Sequence, residues 1–127
     1  MNSVQRAGLL VLPLLLMLNL PARAQEVEVG TGLICDTREQ VEQFIALYDG
    51  DSQGTANKVN AAEHNPTACV VSGMAYVRGR KLAQARGKDA TFQIVPILVL
   101  GIVTEQGVES VRPAPFFSAI EVEEIGV

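Results

Sequence analysis

The apolar positions of the chain change period along its length. From residue 37 onward, Val41, Phe44, Ile45 and Tyr48 recur at i, i+3, i+4 and i+7, which predicts a helix over residues 37–49 with one buried stripe. Asp36 or Thr37 can cap it, Glu39 or Gln40 can close a capping box, and Gly50 can end it. In residues 67–78 the period falls to two. Cys69, Val71, Ala75 and Val77 share one parity and Val70, Met74 and Tyr76 the other, which predicts a strand with a bend or bulge at Gly73. Residues 91–104 carry Ile94, Val95, Ile97, Leu98, Val99, Leu100, Ile102 and Val103 with no alternation. Such a run predicts a strand buried on both faces, in which Pro96 calls for an edge or a bulge.

Glu105, Gln106 and Gly107 read as a hairpin turn, residues 108–112 as the return strand, and Pro113, Ala114 and Pro115 as its end. Phe116, Phe117, Ala119, Ile120, Val122 and Ile125 then mark a last strand, with Glu121, Glu123 and Glu124 at its solvated end. Residues 51–65 hold only one sizeable apolar residue, Val59, and read mostly as a connection with room for a short helix over 55–62. Residues 25–31 suit either a frayed leader or a short first strand. The order is strand, helix, then about four strands at hairpin spacing, which belongs to the α+β class. The expected architecture is one amphipathic helix packed on a small, mainly antiparallel sheet, or on a partly closed barrel of the SH3-like or OB-like kind.

Composition sets the address. Leu9 to Leu20 form a short apolar run interrupted by Pro13, Arg6 precedes it, and Ala22 and Ala24 make a small-x-small site. Residues 1–24 therefore read as an export signal, too short for a spanning helix, and residues 25–127 as one small domain in the periplasm or outside the cell. Cys35 lies too far from the cleavage site to carry a lipid anchor. Without the leader, eight basic residues stand against fourteen acidic ones, which argues against a general affinity for nucleic acid or anionic membrane. Cys35 and Cys69 are the only cysteines, and an oxidising compartment predicts a disulfide between them that ties the helix to the sheet. In the chain-entropy view such a bridge contributes about 3 to 4 kcal/mol.

Candidate chemistry is sparse. Five basic residues, Arg78, Arg80, Lys81, Arg86 and Lys88, fall within one segment of an acidic chain, beside Tyr76. Such a loop suits an anionic ligand or an acidic protein surface, and equally serves as a set of charges guarding the apolar strand that follows. Residues 49–60 partly fit a calcium loop through Asp49, Asp51, Gln53 and Gly54, but Asn60 stands where a bidentate glutamate belongs. The one histidine, His64, sits beside Asn65 and Pro66 without neighbouring ligands. No nucleophile elbow, phosphate loop or zinc motif occurs, so no cofactor or metal is expected and an enzyme ranks low, with His64, Asp49 and Asp51 as its only candidate groups. The leading expectation is a small binding module, and an assembly role using residues 94–103 as an interface is the alternative.

The segments GLICDTREQVEQFIALYDGD at 32–51, NPTACVVSGMAYVRG at 65–79, ILVLGIVTEQGV at 97–108 and the terminal FFSAIEVEEI resemble short exported proteins of Gram-negative bacteria. The resemblance spans most of the chain outside the leader. It implies that the two cysteines form a framework, and it carries no assigned activity.

Overall fold

The computed structural model describes residues 26–123. The expected export signal at 1–24 and the last residues, including Glu124 and Ile125, lie outside the described residues. The elements run β1 (Val27–Cys35), α1 (Arg38–Leu47), α2 (Ser52–Glu63), β2 (Cys69–Arg78), β3 (Ala83–Arg86), β4 (Thr91–Thr104) and β5 (Gly107–Val122). Every strand pairing is antiparallel, so the fold is a small α+β domain built mostly of sheet. Neighbours follow the order β2–β1–β5–β4–β3, and β2 also pairs with β4. Between β1 and β5 the register holds a single pair, Cys35 with Phe117.

Helix α1 forms as its stripe and caps dictate. The Gln40 N–H donates to the Thr37 hydroxyl at 3.2 Å, and the Thr37 N–H donates back to the Gln40 side chain at 3.0 Å, a complete capping box. Val41, Phe44 and Ile45 are buried against the sheet.

The connection with room for a short helix over 55–62 holds a longer one, Ser52–Glu63. Helix α2 is longer than its few apolar residues suggest, because small side chains let it lie close: Thr55, Ala56 and Val59 are fully buried. The Asp51 carboxylate accepts the Gly54 N–H at 3.0 Å and starts the helix. His64 ends it in the left-handed region, φ 54°, with its N–H donated to the Ala61 carbonyl at 3.2 Å.

Cys35 and Cys69 are bonded, but they join strand to strand rather than helix to sheet. They are direct register partners on β1 and β2, with Cα atoms 4.1 Å apart. That separation marks a pair whose backbone groups point away from one another, where side chains come closest. Cys69 therefore turns its N–H and C=O outward, and Asn60 of α2 meets both. The Cys69 N–H donates to the Asn60 amide oxygen at 2.7 Å, and the Asn60 amide donates to the Cys69 carbonyl at 2.8 Å. A side-chain amide thus stands in for a neighbouring strand. The disulfide closes a ring that contains both helices.

Strand β4 matches the predicted span and is the hub of the sheet, pairing with β5 along its length, with β3 at 91–94 and with β2 at 97–102. Pro96 sits at neither an edge nor a bulge. It occupies the seam where the partner changes from β3 to β2, accepts the Gly79 N–H at 2.8 Å, and needs to return no donor there. The Gly73 position shows no bulge either. Its register with β1 is regular, and it is small because a Cβ would stand 2.8 Å from Val103. The irregularity falls instead between Ala75 and Tyr76, opposite Leu100.

Strand β5 does not stop at its prolines. It continues to Val122, pairing Leu98 with Pro115 and Val99 with Ala114. Phe117 lies opposite Pro96, whose carbonyl points away from β5, so Phe117 and, two residues earlier, Pro115 turn their backbone groups away from β4. The donor missing from Pro115 is one that the β4 ladder does not use. Pro113 lies in a bulge where residues 111–113 oppose Leu100 alone.

The two strand parities feed two cores. Leu33, Cys35, Cys69, Phe92 and Ile94 pack with Val41, Phe44, Ile45 and Val59 beneath the helices. Ile34, Met74, Val95, Ile97 and Val99 form the second cluster on the opposite face, with Val70, Tyr76, Ile102, Phe116 and Ile120 half-buried around it. No residue of either helix belongs to that cluster, which the strands alone supply.

Candidate binding site

The second core is incomplete at one end. There the sheet opens into a recess of about 450 Å³, lined by Ile34, Val70, Val99, Ile102, Val111, Ala114 and Phe116 with Asp36 and Thr67 at its rim. The backbone explains the opening. β1 finishes at Cys35 and hands the chain to α1, while β5 runs on past Phe117 toward Gly107 with no strand on that side. The bulge at 111–113 bows β5 away from β4 between Val111 and Ala114. The volume lies in the range of small-ligand pockets, and the lining is apolar apart from one carboxylate and one hydroxyl. Such a site favours an apolar group by desolvation and can orient it through a donor directed at Asp36.

The five basic residues are not brought together as one surface. Arg78 makes a two-pronged ion pair with Glu28 across the β1–β2 ladder, Nη2 to Oε1 at 2.8 Å and Nε to Oε2 at 3.0 Å. Arg86 leaves β3 with its guanidinium 3.4 Å from the Thr91 hydroxyl. Arg80 and Lys81 lie between β2 and β3, whereas Lys88 lies in the β3–β4 turn at the far end of β3, where the Gly87 N–H donates to the Ala90 carbonyl at 2.8 Å. The segment read as one loop is therefore a short strand with cations at both ends.

The carboxylates of the partial calcium loop serve local structure. The Asp51 N–H donates to Asp49 at 3.1 Å, and this bond, helped by Lys58 at 3.7 Å, holds the Asp49 carboxyl below its ordinary value of 3.8 despite its exposure. Asp51 caps α2, and Asn60, the would-be final ligand, is committed to Cys69. No group of three or more acidic, histidine or cysteine side chains suited to a metal occurs among the described residues. His64 lies on a shallow hollow with Asn57, Asn60 and Asn65 and is not among the residues lining the apolar recess, although the Thr67 hydroxyl at the recess rim donates to the Asn65 side chain at 3.1 Å. Asp49, Asp51 and His64 are thus accounted for by the two ends of α2.

The run at residues 94–103 is not buried on both faces throughout as expected: Ile94, Val95, Ile97 and Val99 are buried and Leu100 and Ile102 half-buried, but from Leu98 on the strand alternates, and Leu98 and Val103 face outward. The recess itself was missed in the sequence. Its lining is scattered over four strands, and the only local signals were the even parity of Val70 and the Pro-Ala-Pro run beside the bulge. Comparison with protein-family models, with curated proteins and with solved structures found no match to this chain.

Proposed function

We propose that the chain is a small exported binding module whose contact site is the recess between β1, β2 and the β4–β5 hairpin, and that it takes an apolar group of its partner. One observation carries this: an apolar cavity of about 450 Å³ at the open end of a core that is otherwise filled. The buried disulfide and, among the described residues, the lack of any helix long and apolar enough to cross a membrane fit a domain working outside the cytoplasm. The curl of the sheet reads as a partly closed barrel with the recess at its mouth.

The test uses a neutral apolar fluorophore as probe. The native protein should bind it, and Ala114→Trp should abolish binding with little change in thermal midpoint. Unchanged binding in that variant refutes the site. Intact mass under alkylation then checks the export reading: the chain should begin at Gln25 and carry no free thiol.

A second reading keeps an anionic partner, because Arg80, Lys81 and Lys88 make no ion pair among the described residues. It predicts retention on a sulfated polysaccharide that falls with salt, and loss of retention when all three are changed to Gln.

A further inference from the structure

Unpaired strand edges attract other strands, and natural sheets defend them with prolines, charges, short lengths or covers. This sheet defends all but one. β3 is four residues long and is flanked by Arg80, Lys81 and Lys88. The free side of β5 carries Pro115, whose ring replaces an outward donor, and Pro113 in the adjoining bulge. The unpaired start of β2 is closed by Asn60 at Cys69 and by Val103 over Gly73. β1 has none of these devices.

The register fixes which of its groups are free. Cys35 turns its backbone away from β2, so Val27, Val29, Thr31 and Leu33 do the same, and β5 approaches in register only at Cys35. No proline or lysine occurs on this strand. Its one acid, Glu28, is neutralised by Arg78. Val27 and Val29 are 55% and 62% exposed, the largest exposures of any big apolar side chain described.

We propose that two copies of the chain pair through β1, antiparallel and centred on Val29, so that the sheet continues across a two-fold axis. The charge pattern selects a second copy as the occupant. In this register Glu28 faces the partner's Gly30 and Glu26 faces the partner's Gly32, so the acids meet hydrogens rather than each other. Val29 meets the partner's Val29, and Val27 meets the partner's Thr31. A Cβ at Gly30 would touch nothing within 4 Å, which leaves room for the facing glutamate stem. A foreign strand has no such built-in match. The contact is small, so the dimer belongs to the weak, concentration-dependent class.

Sedimentation equilibrium on the exported chain with its disulfide intact tests this. The native protein should pass from monomer to dimer as concentration rises. Val29→Lys should weaken association about tenfold or more by setting two cations face to face. Val29→Pro should do the same while keeping the native thermal midpoint within a few degrees, because the donor it removes points away from β2. A native chain that stays monomeric up to millimolar concentration overturns the proposal, as does undiminished association of Val29→Lys.

Discussion

The two faces of the sheet use the same kinds of residue to different ends. Under the helices, Val41, Phe44, Ile45 and Val59 pack between α1, α2 and the strands, all four at most 2% exposed, and leave only a smaller hollow of about 180 Å³ beside Leu33, Phe44, Tyr48 and Phe92. On the other face, Met74, Val95 and Val99 are as deeply buried, yet the cluster ends in the open recess between Ile34 and Val111. A helix can slide and rotate until its stripe fits, whereas a curled sheet must close by its own ladders. Here β1 meets β5 in register at Cys35 alone. The first face is covered by the helices, and the second leaves an apolar recess, the contact site proposed above.

That contrast is sharpest by mutation. Phe44→Ala should cost about 3 to 5 kcal/mol in denaturant unfolding, since the ring is 2% exposed and stacked on Tyr48 at 5.6 Å. Val111→Ala, at the recess, should change stability by about 0.5 kcal/mol or less and weaken apolar-probe binding instead. Equal losses at the two sites would erase the distinction between the faces.

Next in size is the bridge between Cys35 and Cys69. Replacing both by Ala should cost about 3 to 4 kcal/mol, read as a shift in the denaturant midpoint at unchanged slope. The recess should survive this change in the folded protein, because β1 and β2 stay in register along nine residue pairs. Loss of probe binding in a folded double variant would show that the bridge shapes the site as well as holding it.

The smallest effect concerns acid. Asp49 has a folded pKa below its ordinary 3.8, so its interactions stabilise the fold above that value and are lost as pH falls through the lower folded one. Asp49→Asn should flatten the stability profile below about pH 4, measured by thermal midpoint against pH, and leave probe binding at neutral pH untouched. A changed binding curve there would tie the end of α2 to the recess.

How much of this was legible in the sequence differs by element. Helix α1, strand β4 and the turn before Gly107 follow from local rules: a stripe with a capping box, an unbroken apolar run and a glycine at φ 111°. The parity of Val70, Met74 and Tyr76 against Cys69 and Val71 named the two faces of β2 before either face had a partner. Helix α2 was obscured because burial there depends on small residues, Thr55 and Ala56, whose apolar signal is weak. The continuation of β5 through Pro115 was hidden because a proline's cost depends on which side its missing donor faces, and only register reveals that. The recess depends on where one strand ends beside another, information that no single stretch of chain contains.

The ring closed by Cys35 and Cys69 also sets how the molecule responds to force. Pulled from its ends, the chain can pay out β1 up to Cys35 and everything after Cys69, but the loop between them, with a sequence separation of 34, stays folded back on the bond. About 110 Å of extended length is withheld. Both helices sit inside that reserve, so a stretched molecule would surrender the β4–β5 hairpin while the helices bear no load.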